Sequence, residues 1–181
     1  CEGLMNDEKA DLWISRMAAG NYHTDKAWAA RGSGWADEVD TKGWKGFEDH
    51  LKLAREALVE AWNLHPEFPE AAAMMVTVTM GGEAERGVGA REWFHRAAEA
   101  QIDWDPAYRA YLTSLLPRWG GTHDAMYDLG VECVETGLYD VALPEYLLWV
   151  LGLMEQEDGA QYWTRPGVYD ELKVMFEGIQ A

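Results

Sequence analysis

Apolar residues recur at intervals of three and four along most of this chain, and almost no segment alternates with period two, so the pattern predicts helices throughout. The clearest stripe is Trp44, Phe47, Leu51, Ala54, Leu58 and Ala61, which places one apolar face on one helix with Thr41 as its expected N-cap. Pro66 and Pro69 close that helix. Pro69-Glu70 can open the next, which runs to about Met80 and stops at Gly81-Gly82. Val76, Thr77, Val78 and Thr79 favour strands locally, but the flanking Ala and Met residues argue for helix. A further helix is expected near Gly89 to Gln101, with Trp93, Phe94, Ala97 and Ala98 inward. Asp105-Pro106 begins a short one reaching Leu116, where Pro117 interrupts it. Thr122 caps another that ends at Gly137, Pro144 begins the next through about Met154, and Thr164-Arg165-Pro166 begins the last, to about Phe176. Upstream, the pattern gives a helix from about Asp7 to Ala19 ended by Gly20, and a second near Thr24 to Arg31.

Between Gly32 and Gly43 lies a loop of glycines and acids, the expected boundary between an N-terminal part, 1–42, and a repeat region, 43–181, unless the two form one continuous domain. The acidic run Glu155 to Asp158 reads as a solvated connection.

Helices joined by short connections suggest stacked hairpins, in which small residues at fixed spacing let neighbouring helices nest. Ala54, Leu58, Ala61 and Pro66 are spaced four, three and five, as in the second helix of a tetratricopeptide repeat. Leu129-Gly130 with Ala142 and Tyr146, and Ala90, Phe94 and Ala97, leave weaker traces of the same pattern. The expected fold is all-α, with antiparallel helical hairpins stacked as a tetratricopeptide-like α-solenoid.

The segments Arg31-Gly32-Ser33-Gly34-Trp35-Ala36, Gly43-Trp44-Lys45-Gly46-Phe47, Ala61-Trp62-Asn63-Leu64-His65-Pro66 with Pro69-Glu70-Ala71-Ala72, and Pro117-Arg118-Trp119-Gly120-Gly121 are similar to a bacterial family of unknown function with tetratricopeptide-like helices. The resemblance runs from about Trp28 to Glu177, and the Pro-Arg-Trp-Gly-Gly turn is its most specific piece. It implies a helical fold and brings no activity or catalytic residues with it.

Charge narrows the partners. The 181 residues carry 15 Lys and Arg against 32 Asp and Glu, a net charge of −17. Nucleic acid and anionic membrane surfaces select basic patches, so neither is expected as a partner. Two cysteines exclude a disulfide framework. Cys133 reads as a buried apolar residue. Cys1 has two readings, a fragment end or the acylated first residue of a mature bacterial lipoprotein; the second would place the domain outside the cytoplasm on a lipid anchor, and the alternative is a cytoplasmic protein. No apolar run is long enough to span a bilayer.

Chemistry is sparse. The sequence lacks a phosphate-binding loop, a dinucleotide-binding glycine fingerprint and a zinc-protease histidine pair. Glu92 and His95 form one Glu-x-x-His pair, but a di-iron site needs a second and further carboxylates. No metal, cofactor or catalytic residue is expected. Ten tryptophans are the anomaly: most follow helical spacing and are expected in the core, whereas Trp35, Trp104 and Trp119 fall in loops or turns, where large aromatics can face a ligand. Arg118, beside Trp119, adds a donor fork suited to a carboxylate. The expected function is a non-catalytic scaffold or accessory subunit that binds a protein partner through a basic face or peptide. The alternative is a glycan- or small-ligand-binding module that uses the loop tryptophans.

Overall fold

A computed structural model describes residues 11–85 and 87–181, so Cys1 and the predicted helical turn at Asp7 lie outside the described residues. Every regular element among them is helical; the one β contact is an isolated bridge between Glu85 and Val88. Eight α-helices follow in chain order: α1 Leu12–Arg31, α2 Thr41–Leu64, α3 Pro69–Met80, α4 Ala90–Ala100, α5 Asp105–Ser114, α6 His123–Glu135, α7 Tyr146–Asp158 and α8 Val168–Ile179.

The chain divides into two compact units after Tyr111. This differs from the boundary expected near residue 42, because α1 and α2 pack against each other along their lengths and the glycine-rich loop between them is the turn of one hairpin. That loop holds a single 3-10 turn, Ala36–Glu38.

In the first unit the predicted stripe is the core: Leu51, Ala54, Leu58 and Ala61 are fully buried, with Phe47 at the end of the row. Asp40, not Thr41, caps α2, its carboxylate accepting the Gly43 amide at 2.6 Å. Thr41 becomes the first helical residue, since two adjacent capping residues compete and the one whose oxygen reaches an orphan amide wins. The two upstream helices merge into one α1 capped by Asp11, and Gly20 does not end it. Gly20 is a crossing point instead, where a Cβ would collide with the Leu58 side chain of α2. Close packing of the hairpin therefore outweighs the cost of glycine in a helix, about 1 kcal/mol. The residues from Val76 to Thr79 are helical, inside α3, as the Ala and Met pattern requires. Around α4, Phe94 stacks on Tyr111 with centroids 4.5 Å apart and meets Tyr108 edge-on at 4.9 Å.

The second unit is built on α6, α7 and α8, with Met126, Leu147, Leu151, Met154 and Met175 fully buried. Thr122 caps α6 as expected, its hydroxyl oxygen accepting the Ala125 amide at 3.1 Å. The Pro-Arg-Trp-Gly-Gly turn is explained by its backbone. Leu116 O accepts from Trp119 N at 2.8 Å and Gly121 N at 3.2 Å, Gly120 sits at φ 88°, and a Cβ at residue 121 would strike the Leu115 carbonyl. Both glycines are thus demanded sterically. Pro144 opens a 3-10 turn, Leu143–Glu145, and α7 begins only at Tyr146. The acidic run 155–158 is the last turn of α7 and not a connection: Glu155 accepts from Trp163 Nε1 at 2.8 Å and Asp158 from the Tyr162 hydroxyl at 2.9 Å.

The tryptophans are mostly not core. Trp93 is 1% exposed, whereas Trp13, Trp28, Trp44, Trp62 and Trp149 are half-buried. Their rings rim the helix packing, as Trp28 and Trp44 do edge-on to Phe47 at 4.9 and 5.8 Å. An indole is too large for the small helix–helix seams that Ala and Leu fill here, so it covers them from outside.

Candidate functional site

The first unit carries a groove of about 580 Å³. Three helical segments far apart in sequence line it. From α1 come Trp13, Ile14, Met17, Ala18 and Asn21, one face at helical spacing; from α3 come Glu70, Ala73, Met74 and Thr77, again one face; from the start of α5 and the residue before it come Trp104, Pro106 and Ala110. The period of 3.6 explains the composition of each wall, because the lining residues of α3 fall at i, i+3, i+4 and i+7.

The walls are largely apolar, and Glu70 is the one charged residue among the described lining residues. Trp13 is held edge-on by Phe68 at 5.2 Å and by His65 at 6.3 Å, and those two rings stack on each other at 5.1 Å. His65 is fixed in turn by Glu67, 2.9 Å from its Nδ1, and that hydrogen bond holds the Glu67 carboxyl below its ordinary range. Three polar atoms of lining residues are buried without a hydrogen-bond partner among the described residues: Trp13 Nε1, Trp104 Nε1 and Glu70 Oε2. Buried polar atoms in folded proteins nearly always have partners, so three around one groove is a local concentration of unmet hydrogen-bonding capacity.

Of the four residues singled out in the sequence, only Trp104 lines this groove. Trp35 stands 71% exposed beside the 3-10 turn between α1 and α2, its amide donating to Glu38 at 2.7 Å. Arg118 and Trp119 belong to the second unit, on the turn Pro117–Trp119, with Arg118 exposed and Trp119 half-buried. Glu70 and Trp13 were not singled out as site residues. No local motif marks either residue; each belongs to an ordinary helical face, and only the meeting of the α1 and α3 faces makes them neighbours in one groove.

No group of three or more metal-ligating side chains occurs among the described residues. Glu92 and His95 are each engaged locally, Glu92 with Arg96 at 3.4 Å and His95 with Arg91 Nε at 3.2 Å. Cys133 is 2% exposed, and burial, reinforced by the charge of Glu132, pushes its thiol up to about 12. No helix among the described residues is long and apolar enough to cross a membrane. No family model, curated protein or solved structure matches the chain.

Proposed function

We propose that the chain is a tetratricopeptide-like scaffold that docks an extended or helical segment of a protein partner, without catalysis, and that the groove of the first unit is where the segment lies. One observation carries this reading: α1, α3 and α5, every second helix, contribute to one continuous apolar groove. In a stack of hairpins the first helix of each pair faces the concave side, and that is the surface on which such scaffolds hold peptides. The charge of −17 favours a basic segment over an acidic one. The same features support the likeness to the bacterial family with tetratricopeptide-like helices.

The test is native co-purification at low and high salt, run in parallel with Thr77→Trp, which fills the groove from the half-buried face of α3. A stoichiometric, salt-sensitive partner that Thr77→Trp loses, with helicity unchanged by circular dichroism, is the expected result. A partner retained by Thr77→Trp would move the interaction off the groove.

The alternative, a small ligand or glycan, draws on the presence of Trp13 and Trp104 in a groove of about 580 Å³, which falls within the usual range for small-molecule sites. It predicts binding of a sugar or small molecule that Trp104→Ala abolishes and added peptide does not displace.

A further inference from the structure

Resting on that reading, we infer that Glu70 is the specificity-determining residue of the groove, and that it selects a docking segment with a lysine or arginine set between apolar side chains. Glu70 follows Pro69 in the first turn of α3, where a carboxylate suits the positive end of the helix dipole. The dipole accounts for its charge but not for its position, because Oε2 is buried beside an apolar groove and has no hydrogen-bond donor among the described residues. Neither lysine nor arginine lines the groove with it.

A carboxylate so placed accepts a charge-assisted hydrogen bond from an ammonium or guanidinium, at roughly twice the strength of a neutral pair. A neutral donor makes a weaker bond, and an acidic side chain is repelled. Trp13 and Trp104 supply the rest of the discrimination: their rings offer apolar and π surface on which the methylene stem and cationic head of a long basic side chain rest. A wholly apolar segment would fill the groove yet leave Glu70 desolvated and unpaired, which costs affinity. The selected pattern is therefore apolar, basic, apolar.

Three fluorescein-labelled amphipathic peptides test this. They share one leucine face and neutral glutamines elsewhere, and carry Lys, Gln or Glu at a single central position. Fluorescence anisotropy should place the Lys peptide about tenfold or more tighter than the Gln peptide, with the Glu peptide weakest. Glu70→Gln should bring the Lys-to-Gln ratio to about one while leaving the protein's helicity unchanged. Equal binding of Lys and Gln peptides to the natural protein, or a preference that survives Glu70→Gln, overturns the role of Glu70 alone, provided Thr77→Trp still blocks binding. Failure of all three peptides to bind, or binding that Thr77→Trp leaves intact, overturns the groove reading and this inference together.

Discussion

His23 of α1 and His50 of α2 meet Nδ1 to Nδ1 at 2.9 Å, so one ring donates the hydrogen and the other accepts it. The pair cannot be doubly protonated without losing that bond and placing two positive charges together. Burial first, and then the charge of His50, lowers the His23 value from the ordinary 6.5. On the side of α1, Tyr22 lies edge-on to His23 at 5.2 Å and carries Lys26 over its own ring, a cation that would only add to the charge of a protonated pair; on α2 the anion next to His50, Asp49, is taken by Lys45 at 3.0 Å.

A histidine with a depressed folded value binds its proton more readily when unfolded, so its contribution to stability is present above 6.5 and is lost as pH falls through the folded value. Urea midpoints taken from about pH 7.5 down to about pH 5.5 should fall further for the natural chain than for His23→Gln. Parallel curves for the two proteins would mean that the pair does not carry the acid sensitivity.

Gly20 gives a second prediction, because a methyl group there would enter space filled by the fully buried Leu58. Gly20→Ala gains about 1 kcal/mol of helix propensity but pays overpacking of about 1–3 kcal/mol, so a net loss is expected. Leu58→Ala alone should cost about 2–5 kcal/mol through its cavity. The double variant should lose less than the two losses added, since the truncated residue 58 makes room for the methyl. Simple additivity in denaturant midpoints would show that the helices do not meet at this pair.

The helical stripe was legible because its period is fixed by backbone geometry, and burial follows it from Phe47 through Leu51, Ala54 and Leu58 to Ala61. Gly20 was misread because local sequence cannot distinguish a glycine that ends a helix from one that admits a neighbour; only the partner, 38 positions away at Leu58, decides. The tryptophans were misread for a related reason. Helical spacing says which face a residue occupies, but the width of the seam on that face decides whether an indole fits inside. Trp104 was found through its place between helices, whereas Glu70 and Trp13 became visible as a site only when faces of α1, α3 and α5 came together.

Ala142 is the one non-glycine residue with positive φ among those described, at 55°, between two 3-10 turns. A Cβ in the left-handed region costs about 1–2 kcal/mol, part of which glycine returns through the greater freedom of its unfolded chain. Ala142→Gly should therefore stabilise the second unit by up to about 1 kcal/mol, read as a higher midpoint in its thermal or denaturant transition. A lower midpoint would place the methyl group in a packing role that outweighs the strain.

Cys133 should be chemically silent while the protein is folded. Its thiol is 2% exposed and shifted to about 12 by burial, so almost no thiolate exists near neutrality. Iodoacetamide labelling at about pH 8, followed by peptide mapping to separate Cys133 from Cys1, should proceed at least a hundredfold more slowly than for an unfolded thiol and should accelerate with denaturant. Labelling at the free-thiol rate in native buffer would contradict the burial.

The loop tryptophans separate the groove from the rest of the surface. Trp104 lines the groove of the first unit, and Trp119 lies on the Pro-Arg-Trp-Gly-Gly turn of the second. If the docking segment lies in the groove, Trp104→Ala should weaken the Lys peptide by about 1–3 kcal/mol, the usual cost of truncating an aromatic anchor. Trp119→Ala should leave that affinity unchanged, although it removes a half-buried ring and lowers the stability of the second unit. Anisotropy titrations with circular dichroism on the same samples distinguish lost contact from lost fold. The reverse pattern, with Trp119→Ala abolishing binding at full helicity and Trp104→Ala neutral, would transfer the site to the turn beside Arg118, where an exposed guanidinium favours an acidic partner over a basic one.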